Sequence, residues 1–345
     1  MKKKIYLLLC LMLTPTMVMA KDLEKETVFY RNQNGIKMTE HEVTNLKNLA
    51  FTDEQISYMD LEEFDKNKNL VSEIESISEI YVKSTYYTAF EKVPTKSRVD
   101  IEKTLTNEGT LYVVNEVITE EAYERVSEDD IISTKSLVTG IRETTYKKLT
   151  TTIIKNGSYY RVRNDLTWKK MPSTRSYDVF GIRVADSNVS PKASSQYAKM
   201  TWKVEHQCGN YSNQYSTVYS SLDNWNVSSG NGYGVTMKLP SDAKCTGSVY
   251  DPYYNTIINK AGVAKVTSLG MYMYYDVKKK TTVTVKAIDA YGSYQHSTKT
   301  ISFKNSLSFS IGSGGLGGVL NFGVELNKSF DAMGGTHAEL TGIKW

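Results

Sequence analysis

Few residues in this chain are spaced for catalysis or metal binding. His41-Glu42 starts like the zinc-protease pattern HExxH, but Asn45 stands where the second histidine ligand belongs. Asp65-Lys66-Asn67-Lys68-Asn69 starts like an EF-hand loop. Leu70 replaces the glycine of its sharp turn, however, and Ser76 replaces the bidentate twelfth ligand. Both stretches read as polar surface on and after helices. His206 and Cys208 are two apart while His296 and His337 are remote, which is not a zinc-ligand spacing. Glu120-Glu121 and Asp129-Asp130 are adjacent pairs that diverge on a regular element, unlike two carboxylates flanking one substrate bond. No nucleophile elbow, P-loop or dinucleotide fingerprint occurs. The expectation is a non-enzymatic protein with no metal and no cofactor.

Binding chemistry is better represented. Tyrosine accounts for 25 of 345 residues. Tyr211, Tyr215, Tyr219, Trp225 and Tyr233 fall between Cys208 and Cys245 and are interleaved with Asn, Ser and Gln. Rigid aromatics beside small polar groups offer flat apolar area at low entropic cost, which suits sugar rings or cell-wall polymers. These five form the expected ligand surface, and a glycan or cell-wall polymer the expected partner. The bland reading is that tyrosine is favoured on half-buried strands. Cys208 and Cys245 are an even pair suited to a disulfide in an exported chain.

A second reading rests on residues 303–326. Phe303, Leu307, Phe309 and Ile311 alternate with Lys304, Ser306, Ser308 and Ser310, although Asn305 interrupts the apolar face. After the Gly-rich link Gly312 to Gly318, Leu320, Phe322, Val324 and Leu326 alternate with Asn321, Gly323, Glu325 and Asn327. Each arm approaches the roughly 9–11 residues that a membrane-spanning strand needs. Such a hairpin could join an oligomeric pore, and membrane contact is expected only on that reading. An ordinary sandwich hairpin alternates in the same way.

The elements that must carry these groups are mostly strands. Thr39 with Glu42, and Thr52 with Gln55, have capping-box spacing and open two short helices over 39–64. The texture turns to strands from Ile80, with Tyr81–Thr88 and Thr110–Ile118 rich in aromatic and β-branched residues. Asn156-Gly157 between Ile153-Ile154 and Tyr159-Tyr160 predicts a tight hairpin. Ala198, Met200, Trp202 and Val204 alternate with Lys199, Thr201, Lys203 and Glu205, so the first set should face a core. Tyr291-Gly292 reads as a turn and Lys278-Lys279-Lys280 as a loop tip. The fold class expected is mainly β, with an antiparallel sandwich-like C-terminal part.

Residues 1–20 combine Lys2-Lys3-Lys4, a short apolar run and a small-residue end at Ala20, the pattern of a secretory signal. Without those three lysines the 42 bases become 39, against 38 acids. Arg183 is the last arginine. Near neutrality and the lack of bidentate forks downstream both argue against a nucleic-acid partner. The organisation expected is a signal at 1–20, a helical module at 21–78, a β-rich domain at 79–186, a linker at 187–195 and a disulfide-closed antiparallel β domain at 196–345. The stretch Leu166-Thr167-Trp168-Lys169-Lys170-Met171-Pro172-Ser173-Thr174-Arg175-Ser176-Tyr177-Asp178, with Val179-Phe180-Gly181-Ile182, resembles secreted proteins of low-GC Gram-positive bacteria. The segment from Met38-Thr39 through Phe51-Thr52 to Phe64 resembles their N-terminal part. The resemblance covers under a fifth of the chain. It implies export and a β-rich body and transfers no catalytic or binding residue.

Overall fold

The computed structural model describes residues 27–345, apart from 98–100, 107, 127–139, 186–187, 210, 220–224, 229–230, 252, 254, 281–283, 301–309, 315–316, 322–328 and 344. The expected signal at 1–20 therefore lies outside the described residues. The chain begins with a two-stranded ribbon, β1 (Tyr30–Arg31) and β2 (Lys37–Met38). Three short helices follow: α1 (Glu40–Asn48), α2 (Asp53–Ser57) and α3 (Leu61–Asn67). Both capping boxes form, with Thr39 and Glu42 satisfying each other's backbone N–H, and Thr52 and Gln55 doing the same.

A ten-stranded antiparallel sheet contains β3 (Ser72–Tyr87), β4 (Ile101–Thr106), β5 (Gly109–Ile118), β6 (Ile141–Asn156), β7 (Tyr159–Lys170), β9 (Val189–Pro191), β10 (Tyr197–His206), β11 (Tyr211–Val218), β14 (Ala243–Asp251) and β15 (Thr256–Lys279). Its main path runs β11-β10-β15-β7-β6-β3-β5-β4, with β9 and β14 paired to β15. The short helix α4 (Glu120–Glu124) follows β5. A second antiparallel sheet has the order β12-β13-β8-β16-β19, from β8 (Tyr177–Val184), β12 (Trp225–Ser228), β13 (Asn231–Lys238), β16 (Ala287–Ser297) and β19 (Phe330–Thr341). A small hairpin, β17 (Ser310–Gly314) with β18 (Gly317–Asn321), lies beside β8, β16 and β19. The mainly β, antiparallel, sandwich-like fold class holds.

The two sheets close over one core. Leu149, Val162, Leu166, Trp168, Met271 and Met273 from the large sheet meet Phe180, Ile182, Val235, Ile288 and Tyr294 from the smaller one. The expected hairpin is present, with Asn156 opposite Tyr159. The turn falls one residue later than Asn-Gly suggests, because Asn156 stays in the strand and Gly157 alone takes the left-handed φ of 59°.

Four expectations need correcting. Strands from both sides of 187–195 share each sheet, β7 with β10 in the large one and β8 with β13 in the smaller, and Val189–Pro191 is itself a strand on β15. The polar stretch therefore carries the chain from the smaller sheet to the large one within one sandwich, and the two sheets on either side of it share a core. Strand β3 begins at Ser72, inside the expected helical module, because its first half pairs with the far end of β6. Lys278 and Lys279 end a strand by pairing with Ser190 and Val189, where a loop tip was expected. Finally, β16 runs straight through Tyr291-Gly292. A Cβ at Gly292 would overlap Thr151 and Asn164 of the opposite sheet and lie 2.7 Å from Thr336 Oγ1. The glycine marks close approach of the sheets and not a turn.

The outer face of the large sheet is buried too. Met38, Leu46, Leu49, Phe51, Ile56, Met59 and Phe64 of the N-terminal module pack on Ile154, Tyr197, Tyr272 and Tyr274. Lys199, which alternation alone would expose, lies beneath the helices at 1% exposure. Its Nζ donates to Glu63 Oε2 and Asp60 Oδ2, both at 3.1 Å. Burial pushes the Glu63 carboxyl up, and the Lys199 charge only partly opposes this. Removing one member of a buried ion pair leaves an uncompensated charge. Lys199→Met should therefore cost about 3–5 kcal/mol. Chemical denaturation would measure the loss, and Glu63→Gln in the same background should recover part of it.

Candidate functional site: an aromatic strip on the β11 edge

Strand β11 is the outermost strand of the large sheet, so one side of its backbone pairs with β10 and the other ends the sheet. Nearly all its residues are exposed. The register places Tyr211 opposite His206 and Tyr215 opposite Trp202. Both cross-strand pairs are stacked: His206 and Tyr211 at 4.4 Å between centroids and 14° between planes, Trp202 and Tyr215 at 5.8 Å and 21°. Stacking fixes each tyrosine ring by covering its inner face and leaves the outer face at the sheet's free edge. The two tyrosines are 52% and 41% exposed.

Four residues of extended strand separate them, roughly 14 Å, a span suited to an extended chain more than to one small ring. Asn213 lies between them on the same face and donates through Nδ2 to the Tyr215 hydroxyl at 3.3 Å. A depression of about 430 Å³ at the Tyr211 end is lined by Lys203, Glu205, His206, Gln207, Tyr211 and Ser212. Exposed aromatic faces with amide, hydroxyl and charged groups alongside can stack on apolar ring faces and hydrogen-bond their polar substituents.

The five aromatics expected to form one surface are divided. Tyr211 and Tyr215 lie on the strip. Tyr219 is buried at 9% exposure in the core, where burial pushes its hydroxyl up to about 12. Tyr233 packs edge-on against Tyr275 at 5.0 Å, also against the core. Trp225 opens β12, at the edge of the other sheet. Sequence spacing could not separate these roles, because they depend on strand order and on how far along β11 the core reaches. Of the rings behind the strip, Trp202 was legible only as one of a strand's inner set and His206 only as a histidine two residues from Cys208.

Cys208 and Cys245 are joined in a disulfide across 37 residues, as expected. It ties the β10–β11 turn to β14. His206 approaches both sulfurs, and its ring nitrogen and the two sulfurs lie within 4.8 Å of one another. With the sulfurs bonded to each other, neither is the thiolate that a metal binds.

The remaining ionisable groups of note are buried between the sheets. Lys147 Nζ and Asp331 Oδ2 are 3.1 Å apart, both side chains fully buried. Tyr86 donates to Asp331 at 2.6 Å and Asn115 Nδ2 at 2.8 Å. Beside them Asp178 accepts from the Tyr294 hydroxyl and the Ser297 N–H, with His296 Nδ1 3.1 Å away. Burial alone would raise the Asp331 carboxyl, yet Lys147 and the Tyr86 and Asn115 hydrogen bonds hold it below the usual range.

No family model matches the chain, and no curated protein matches it significantly. Among solved structures, one named BspA_C_WT is 7% identical over 65% of this chain and 86% of that one, with a TM-score of 0.24. Clostridium perfringens delta-toxin is 7% identical over 45% and 74%, with a TM-score of 0.18. A third, named Pore forming protein, is 10% identical over 56% and 84%, also at 0.18. These are weak likenesses in architecture, and no role is transferred from them.

Two outcomes follow from this geometry. Replacing Cys208 and Cys245 together by Ser opens a 37-residue loop. Equilibrium unfolding should show a loss of about 4 kcal/mol by the chain-entropy relation. Asp331 is favoured as the carboxylate when folded, so it stabilises above the ordinary carboxylate value of 3.8, and that stability disappears as pH falls below it. Unfolding curves on the acid side should therefore steepen with falling pH in the wild type. Asp331→Asn should flatten that acid limb while lowering stability near neutrality.

Proposed function

We propose that this is an exported, non-enzymatic binding protein that holds a glycan-type polymer of the extracellular surface on the β11 edge. The observation that carries the reading is the pair Tyr211 and Tyr215, exposed yet held in fixed orientation by stacking on His206 and Trp202. Pre-set rings lose little freedom when a ligand stacks on them. Retention on peptidoglycan or on a glycan array tests it directly. Each of Tyr211→Ala and Tyr215→Ala should weaken retention roughly tenfold, the equivalent of about 1.4 kcal/mol for a lost stacking contact. Trp225→Ala, on the edge of the other sheet, should leave it unchanged. Absence of retention on every envelope polymer tried would sink the reading.

One observation favours a second reading, a membrane-active hairpin. Ser297 and Phe330 are paired partners on the adjacent strands β16 and β19, so the chain between them leaves and re-enters the sheet at one point. The described part of that excursion, β17 with β18, is already an antiparallel hairpin. A hairpin rooted on two paired strands can lengthen without rethreading the sheet. The alternating arms at 303–309 and 322–326 lie outside the described residues, so this reading rests on their sequence and on the root. Dye release from liposomes tests it. Release is expected from the wild type and should vanish when 303–326 is replaced by a short Gly-Ser link, with glycan retention kept. Inert liposomes would remove it.

A further inference from the structure

The far half of the β14–β15 hairpin overhangs the sheet. Lys265 and Ala264 of β15 still pair with β10, but Thr256–Val263 pair only with β14. The base is firmly held. Cys245, opposite Gly262, is bonded to Cys208, and the 207–209 turn lies directly on the hairpin. A Cβ at Gly247 would meet the Cys208 carbonyl oxygen at 2.7 Å, and one at Gly262 would meet the Cys208 nitrogen at 3.0 Å. Past this clamp the ribbon carries apolar side chains in the open. Tyr253 is 84% exposed, Ile257 70% and Ile258 41%.

Ile257 and Ile258 are consecutive in a strand and so point to opposite faces. Docking one face of the ribbon on a protein would cover only one of them. Immersing the tip covers both. The charge of the hairpin is one-sided as well: residues 243–265 contain three exposed lysines, Lys260 towards the tip and Lys244 and Lys265 at the base, against the single acid Asp251. Isoleucine and tyrosine at a protruding end, with lysine set back along the ribbon, match the boundary of a bilayer. There aliphatic groups enter the acyl region, tyrosine sits at headgroup level and ammonium groups meet anionic lipid.

We propose that the β14–β15 tip docks on an anionic lipid bilayer, with Tyr253, Ile257 and Ile258 entering the interface and Lys260 facing the headgroups. This goes beyond glycan binding on β11, and the two can fail separately.

Flotation of the full chain with vesicles of phosphatidylcholine and phosphatidylglycerol tests it. The wild type should float with these vesicles, do so less at high salt, and stay behind with phosphatidylcholine alone. Ile257→Ser with Ile258→Ser should cut the bound fraction at least tenfold. Lys260→Gln should cut it roughly fivefold, the effect of losing about one interfacial charge. Unchanged circular dichroism and melting would show that these exposed positions leave the fold intact. As an independent measure, Tyr253→Cys carrying an environment-sensitive dye should shift to shorter emission wavelength with anionic vesicles. Because the vesicles carry no carbohydrate, Tyr211→Ala should float like the wild type. The proposal is overturned if the wild type does not float or if the double variant floats undiminished. Self-association through the tip without flotation would overturn it too.

Discussion

Both faces of the middle of the large sheet, on β7, β10 and β15, are covered, and much of the rest of the molecule follows from that constraint. A strand buried on two sides cannot keep its polar set in water, so each polar side chain on the outer face must find a partner in the helices above it. Arg163 shows how this is done. Its guanidinium makes two hydrogen bonds to Asp165 and one to Gln55, all at 2.7 Å, while lying 4.3 Å from the Phe51 ring and 4.7 Å from that of Tyr272. Arg161 repeats the pattern with Asp276, Asn67 and the Tyr274 ring. Planar, weakly hydrated guanidinium groups suit such sites, because stacking and forked hydrogen bonds use different faces of one group. The helices supply complementary groups as well as apolar area, which fixes where they sit as well as that they sit.

The inner layer obeys a related rule. At one end of the sandwich the two sheets are joined by hydrogen-bonded charge, not by aliphatic packing. Lys147 lies 5.1 Å over the Trp168 ring and bonds to Asp331, and the Trp168 indole donates to Tyr294, which donates to Asp178. Every strand from β5 across to β19 that meets here contributes a polar partner. A cluster of this kind adds little net stability over a well-packed apolar core, but it is costly to leave half made. It therefore discriminates strongly against misregistered sheets. It also lies at the root of the 298–329 excursion, since His296 and Asp331 are paired across β16 and β19.

Local signals in the sequence carried through where a single element decides the outcome. Thr39–Glu42 and Thr52–Gln55 cap helices, Gly157 turns a hairpin, and Ala198 and Met200 face the core, because each depends on near neighbours alone. Lys199, Arg163, Lys147 and Asp331 were illegible for the opposite reason. Alternation distinguishes two faces of a strand but cannot reveal that the outer face is also covered, as at Lys199 and Arg163, or that the inner face holds a charged pair, as at Lys147 and Asp331. Gly292 misled because a glycine that admits a facing sheet and a glycine that turns the chain are the same letter. The tyrosines divide on the same principle. Tyr211 and Tyr219 share composition and one edge strand, yet Tyr211 stands at its exposed start while Tyr219, directly after its last residue, is buried in the core, so position along the strand separates them.

The disulfide links the local and the global in one corner of the fold. Its closure of a 37-residue loop matters less to function than where it fastens. One sulfur belongs to the turn that begins β11 and the other to the base of the overhanging hairpin, opposite Gly262. Edge strands and two-stranded ribbons are the least constrained parts of a β protein, and aromatic or apolar side chains on them invite indiscriminate pairing. Here both are anchored to the same covalent post, with backbone packed on Gly247 and Gly262 where no side chain could intervene. An exposed tyrosine edge and an exposed isoleucine tip are tolerable only if they are rigid enough to be selective. The cross-link and the two glycines supply that rigidity, so the most constrained backbone lies beside the most exposed apolar surface.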